Sequence, residues 1–418
     1  MRSGVRAAGM GSSLAVDTSR IHRLDNPVQH YAWGSHTAIP ELLGQPTPAA
    51  EPWAELWMGA HPVATSQVKG PDASEPLDAF IARDPEAVLG AAVAARFAGR
   101  LPFLFKVLAA AAPLSIQAHP SPAQAREGFE RENREGVALD APHRCYRDAH
   151  HKPELICALT PFHALNRFRE PGEIADRFAA MDEPILAQPI AALRDRPDRE
   201  GLAAFFQTLW TQGEPARCAA IASGVDWARL RGHGDPAARW VDSLASRHPG
   251  DIGVLAPLLL NVVELAPGEA MFLPAGELHS YLEGVGIEIM ANSDNVLRGG
   301  LTAKYVNVPE LLRALTFRAG AIERLRPRAV AAGEGRYETP AEEFALGVLE
   351  VRPDARWFAR RERSIEILLC TAGHGRIVGA ETHSVARGDC FVVPAAAPAY
   401  TVEGDLTLYR AAPGIAAC

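Results

Sequence analysis

The sequence predicts a mainly β fold interrupted by an all-α insertion, and three observations carry that prediction. First, Leu265–Tyr281 (LAPGEAMFLPAGELHSY) reads as a short buried strand, MFLP, entered at Pro267-Gly268 and left through the turn at Pro274–Gly276. Second, residues 167–250 are rich in Ala, Arg, Asp and Leu, and GEIADRFAAM, PIAALRDRP and REGLAAFFQTLW carry helical periodicity. Third, GDCFVVP at 388–394 repeats the Gly, five residues, Pro spacing of 268–274, displaced by 120 residues, so a second β region follows the first.

The elements follow in chain order. Residues 1–17 read as a loose tail, with Met10 an alternative start. Residues 20–120 alternate short strands with turns; ELWMGAHP (55–62) and the nearly all-apolar run 101–117 are the clearest, and 76–99 reads as helical. SPAQAREGFERENREG (121–136) is a charged helix opened by Ser121 with Pro122 in its first turn. A strand begins at Glu154, just after Pro153. After the helical stretch, strand signals return in VLAPLLLNVVEL, MFLP and HSYLEGVGIEIM, and VPELLRALT (308–316) is a short helix. Residues 320–413 are again β-rich, with AGHGRIV (372–378) a strand turn. The expected organisation is a tail (1–17), a site-bearing β region (18–166 and 251–318), a helical insertion (167–250) and a second β domain (319–418). In that second copy Ala399 aligns with His279 and no Gly aligns with Gly276, so a site built on His279 has no counterpart there.

Length and composition bound the function. At 418 residues the chain has room for two or three domains, and 48% hydrophobic with 22% charged residues is ordinary for a globular protein. The net charge of −8 argues against a nucleic-acid partner, because phosphate-backbone binding needs a basic face. Any anionic substrate must then meet a local cluster of cations. Six Cys without a C-x-x-C spacing fit free thiols in a reducing cytoplasm. No apolar run reaches membrane-spanning length, and the first residues lack the apolar core of a signal peptide. The oligomeric state is open between a monomer and a weak homo-oligomer.

Four residues read as a metal site. His279 opens a strand just after the Pro274–Gly276 turn, so a rigid scaffold presents an imidazole. In LSIQAHPS, Gln117 and His119 stand two apart and project from one face of a buried strand. Glu154 opens another apolar strand. Two imidazoles, a carboxylate and an amide oxygen suit Zn²⁺, one per chain, and leave the site at +1, a charge that would stabilise a substrate oxyanion. The alternative for Gln117 and His119 taken alone is that of satisfied core polars.

Downstream, GIEIMANSDNVLRGGLTAKYVNV supplies the rest. Glu288 alternates with Ile287 and Ile289, so it points into a cavity if they pack into the wall. Glu288 is the first candidate base and Asp294 the second. Arg298 and Lys304 flank Gly299-Gly300, where a ligand can approach closely, and together they suit a phosphate. Arg298 is assigned either to charge stabilisation or to phosphate contact. Lys106, an ammonium inside an apolar strand, and Ser115, two before Gln117, join the substrate candidates, with Tyr281 and Trp33; Trp33 has a structural role as its alternative.

The turn motif ending in His279 resembles the second motif of the cupin barrels. Across residues 26–317, WGS, AELWMGAHP, LPFLFKVL, LSIQAHPS, HKPEL, PAGELHSYLEG and SDNVLRGGLTAKYVNV together resemble the type I mannose-6-phosphate isomerases. That resemblance implies cupin-type jelly-roll barrels, one metal-binding and one degenerate. It puts the zinc ligands on Gln117, His119, Glu154 and His279, an active-site Arg on Arg298 and a substrate-contacting Lys on Lys304. It implies reversible isomerisation of mannose 6-phosphate and fructose 6-phosphate through a zinc-stabilised enediolate, in mannose metabolism or GDP-mannose supply. Two other classes compete on the residues alone. An iron oxygenase is disfavoured by Gln117 in place of a His, and a non-catalytic sugar-binding protein would not need Glu288, Asp294, Arg298 and Lys304 together.

Overall fold

The computed structural model describes residues 16–71, 73–232 and 234–415. The expected tail lies outside the described residues up to position 15. Two sheets, of ten and eleven strands, dominate the structure.

In the first sheet the hub is the thirteen-residue strand His279–Ala291. It runs antiparallel to Phe103–Ala110 along one edge and to Glu154–Ala158 along the other, and its first residue pairs with Gln117. Side chains alternate strictly across this sheet. Phe105, Val107, Leu155, Cys157, Ile287 and Ile289 pack into a core shared with the second sheet, through Leu346, Ile367, Val392 and Tyr409. Lys106, Glu154 and Glu288 therefore face the other way, into a polar cavity. The expectation that Glu288 opposes two wall-packed isoleucines holds.

The second sheet runs from Arg328–Ala331 through Glu334–Tyr337, Ala345–Val351, Thr401–Ala412 and Glu366–Val378 to Cys390–Val393. It then continues into His22–Asp25 and Gln67–Lys69, residues expected within the first β region. Their pairing covers an edge that Cys390–Val393 would otherwise expose.

Between Phe168 and Leu260 the described residues form helices and turns only. Pro171–Ala179, Ala187–Asp195, Arg199–Thr211, Glu214–Arg231 and Pro236–Arg247 are the longer helices. Phe178, Phe206, Trp210 and Trp240 join Ile116, Leu278 and Leu297 in one core, so the helices support the strands that carry the site.

Local differences from the sequence reading have local causes. Residues 76–99 form three short helices rather than one, broken at Asp84-Pro85 and at Gly90, whose φ is +89°. VLAPLLLNVVEL starts as helical turns through Leu259, with Pro257 early in the second turn, and is strand only from Leu260. AGHGRIV continues the long strand Glu366–Val378, paired along its length with Thr401–Ala412. The helix at Pro122–Arg134 does open on a Ser121 capping box with Gln124.

Candidate metal centre

Sheet register gathers residues that are far apart in the chain. Gln117 pairs with His279 on one side and with Arg298 on the other. Glu154 lies between Leu273 and Met290. The turn before His279 depends on Gly276, whose φ is +76° and whose added Cβ would lie 2.6 Å from Thr316 Cγ2. The Gly276 N–H donates to the His119 carbonyl at 2.8 Å, which ties the turn to the second imidazole.

His119 Nε2 lies 3.3 Å from Glu154 Oε1, and His279 Nε2 lies 3.4 Å from Glu154 Oε2. The other nitrogens are committed. His119 Nδ1 donates to the Asn295 carbonyl at 2.7 Å and His279 Nδ1 to the Glu277 carbonyl at 3.0 Å. Both Nε2 atoms therefore present lone pairs, oriented by the backbone as ligand imidazoles usually are. His119 Nε2, His279 Nε2 and Glu154 Oε2 are buried without a hydrogen-bond partner, and one ligand atom from each residue lies within 4.8 Å of the others. Three such orphans converging in one place call for a cation. Burial pushes His119 down to about 4, so its ring is neutral near pH 7. Burial would raise Glu154, but the Lys152 ammonium holds its carboxyl well below the usual range. The donor set fits zinc, with Gln117 lining the cavity beside it.

The cavity, about 660 Å³, brings together the other expected residues: Trp33, Lys106, Ser115, Tyr281, Glu288, Asp294, Arg298 and Lys304 all line it. Lys106 differs from a free phosphate-binding cation. Its Nζ lies 2.9 Å from Glu288 Oε2 and 3.4 Å from Glu55 Oε1. Burial alone would lower its pKa, but the two carboxylates hold it above the ordinary value. Burial, with Glu154 and Glu55 nearby, raises Glu288 against the opposing pull of Lys106. One ammonium thus serves two buried acids. The Tyr281 hydroxyl is buried without a hydrogen-bond partner, and burial keeps it protonated.

Sequence reasoning missed three residues. Lys152 Nζ sits 3.1 Å from Glu154 Oε1. Arg147 lines the cavity with Arg298 and Lys304, and none of the three makes an ion pair among the described residues. Burial and mutual repulsion lower the pKa of Arg298 and of Lys304. His61 is buried with Nε2 3.3 Å from Asp294 Oδ1. Its Nδ1 accepts from the Val63 N–H, so Nε2 is the donor. Burial would raise Asp294, but this bond holds it below the ordinary value. A Lys before a Pro-led strand, as in HHKPEL, is the one signal that could have found Lys152.

The comparisons agree with this geometry. Residues 21–171 match the family model for the catalytic domain of type I phosphomannose isomerase. The chain is 42% identical to mannose-6-phosphate isomerase of Escherichia coli over 93% of this chain and 99% of that one. It is 32% identical to mannose-6-phosphate isomerase 1 of Arabidopsis thaliana, over 95% and 94% of the two chains. A zinc-bound mannose 6-phosphate isomerase structure superposes with a TM-score of 0.86 at 37% identity, over 94% of this chain and all of that one. A point variant of the Salmonella typhimurium phosphomannose isomerase gives 0.87 at 36%, with the same coverage.

Proposed function

The chain belongs to the type I phosphomannose isomerases, and from that premise we propose that it interconverts D-mannose 6-phosphate and D-fructose 6-phosphate as a zinc-dependent aldose–ketose isomerase. The observation that carries this reading is a three-orphan metal centre whose Glu154, with Gln117, lines the same cavity as three cations without ion pairs among the described residues. A sugar phosphate needs both.

Gln117, His119, Glu154 and His279 would hold one zinc per chain. When bound, zinc supplies a Lewis acid that polarises substrate oxygens and stabilises developing negative charge. Arg298, Lys304 and Arg147 form the excess of positive charge that meets the phosphate, with the Ser115 hydroxyl as a further donor. Isomerisation removes a proton beside the carbonyl and returns it to the neighbouring carbon through an enediolate. Glu288 is our base: a carboxyl raised by burial is better matched to proton transfer near neutrality than an ordinary one. Lys106 contributes through the charge state of Glu288 rather than as a free phosphate cation. Asp294, kept ionised by His61, is the second candidate base and an acceptor for a sugar hydroxyl. Tyr281 offers its unpartnered O–H to a substrate oxygen. Trp33, stacked on Tyr31 with centroids 5.6 Å apart, gives the sugar an aromatic wall.

We read the two sheets as cupin-type jelly-roll barrels, and residues 18–166 with 251–318, 167–250 and 319–418 as catalytic region, helical insertion and metal-free C-terminal domain. No helix among the described residues is long and apolar enough to cross a membrane. Cytoplasmic residence, with a sugar phosphate as the sole partner class and a monomer or weak homo-oligomer as the assembly, completes the proposal.

The test is a coupled assay of fructose 6-phosphate formed from mannose 6-phosphate, before and after chelation and zinc restoration. We expect turnover that disappears with the metal and returns with it. A folded, zinc-loaded protein that binds the sugar phosphate without converting it would sink the isomerase reading.

A further inference from the structure

The second sheet repeats the register of the first around another polar cavity. Glu154 pairs with Leu273 and Glu366 with Val393, and the 120-residue displacement of the turn motif carries Leu273 onto Val393. Glu366 thus stands where the first sheet has a metal-centre carboxylate. On the next strand, Ile156 pairs with Glu288, while its counterpart Leu368 pairs with Arg410. Continuing outward, Lys106 corresponds to Gly347 and Glu55 to Glu334. Faces correspond as well. Ile367, Leu369, Tyr409 and Ala411 pack into the core between the sheets, so Glu366 and Arg410 point away from it, as Glu154 and Glu288 do.

The charges are exchanged rather than lost. Where Lys106 joins Glu288 and Glu55, Arg410 joins Glu366, with Nη1 2.6 Å from Oε1, and Glu334. Trp57 Nε1 donates to Glu55 at 2.7 Å, and Trp357 Nε1 donates to Glu334 at 3.0 Å. No imidazole lines this second cavity of about 520 Å³, so its chemistry is not that of the metal centre. Five arginines (336, 360, 361, 363 and 410) against three glutamates (334, 362 and 366) give its lining a net charge of +2. Arg336, Arg360 and Arg361 make no ion pair among the described residues. The Arg363 side chain is only 5% exposed and its Nε faces Glu366 Oε2 at 3.7 Å, beyond hydrogen-bond distance; neither it nor the Arg410 Nε has a hydrogen-bond partner. Buried guanidinium N–H groups without acceptors favour an anion. The carboxylates of Glu334 and Glu366 each accept two bonds and retain capacity for donors such as hydroxyls.

We propose that this cavity is a second, metal-independent ligand site, for a phosphate monoester of a sugar-sized polyol, with the phosphate on the arginines and hydroxyls donating to Glu334 and Glu366. The inference goes beyond the catalytic reading and does not depend on it. Equilibrium dialysis of the zinc-loaded full chain against radiolabelled hexitol 6-phosphate, which lacks the carbonyl that isomerisation needs, tests it. Two equivalents should bind per chain. R360A/R361A should lose one, with kcat/KM for mannose 6-phosphate unchanged, and Arg298→Ala should lose the other. Inorganic phosphate should bind the second site at least about tenfold more weakly, a difference of roughly 1.4 kcal/mol. A second equivalent that survives R360A/R361A overturns the proposal, as does a single equivalent that Arg298→Ala abolishes. Equal binding of inorganic phosphate overturns the polyol ester as ligand. A single equivalent lost in R360A/R361A and kept in Arg298→Ala would support this site and count against the catalytic one.

Discussion

Replacing Lys106 with Met removes the cation shared by Glu288 and Glu55 while keeping most of the apolar stem. Lys106 and Glu288 have side chains 6% and 4% exposed, and Glu55 is 9% exposed. Taking away one partner of a buried pair destabilises by about 3–5 kcal/mol, because it leaves uncompensated buried charge. At about 3 kcal/mol the folding constant already falls by roughly two powers of ten. The pH dependence follows from Glu288, which burial raises above its ordinary value even with Lys106 present. Without the ammonium it rises further. A carboxyl whose folded pKa lies above its unfolded value contributes stability at pH below the unfolded value and loses it as pH rises through the folded value. The deficit of Lys106→Met should therefore be smaller at pH 5.5 than at pH 8, and the acidic limb of kcat/KM should move to higher pH. Urea denaturation of both proteins at the two pH values, with a pH–rate profile, reads this directly. A loss below about 1 kcal/mol at pH 8, or one identical at both pH values, would refute the shared-cation account.

Three further outcomes are expected. Glu288→Gln should lower kcat by about 10²–10⁴-fold, the usual contribution of a general base, with zinc content by elemental analysis unchanged. Lys304→Ala should raise KM for mannose 6-phosphate by roughly tenfold, about 1.4 kcal/mol, and weaken the salt dependence of KM, because this exposed ammonium at the cavity lining makes no ion pair among the described residues. Gly276→Ala should destabilise by about 1–3 kcal/mol in denaturation and lower zinc affinity, because a Cβ at φ +76° would push against Thr316 and disturb the turn tied to His119.

Legibility in the sequence tracked how each residue contrasts with its neighbours. Gln117, His119 and Glu154 stand out as polar side chains in strands that are otherwise apolar, and His279 follows a turn whose glycine and proline spacing is fixed by its geometry. Glu288 could be oriented from Ile287 and Ile289 because strand alternation is strict. Arg147 and Lys152 lie in the irregular stretch before Glu154, where no periodicity says which way a side chain points. The pairing of Lys106 with Glu288 and Glu55 depends on which strands lie side by side. Nothing in FLFKVL says that its neighbours are residues 55–58 and 284–291.

The same limit explains why the second cavity is hidden in the sequence. Alignment through the turn motif shows only that Ala399 stands where His279 would, a loss. Register shows a replacement. A carboxylate is kept at Glu366, the acid at the Glu288 position becomes Arg410, and the lysine at the centre of the first sheet becomes Gly347. A Cβ added there would lie 3.6 Å from the Arg410 Nε, ordinary contact distance, so the glycine is not required by sterics. What the change does is let one guanidinium, entering from the neighbouring strand, do the neutralising work of the ammonium. Moving the cation by one strand frees the carboxylate from any metal while pairing it with Arg410. A sheet that had merely decayed would have no reason to keep two buried acids and the arginine that balances them, since an apolar replacement of a buried ion pair is often neutral or stabilising.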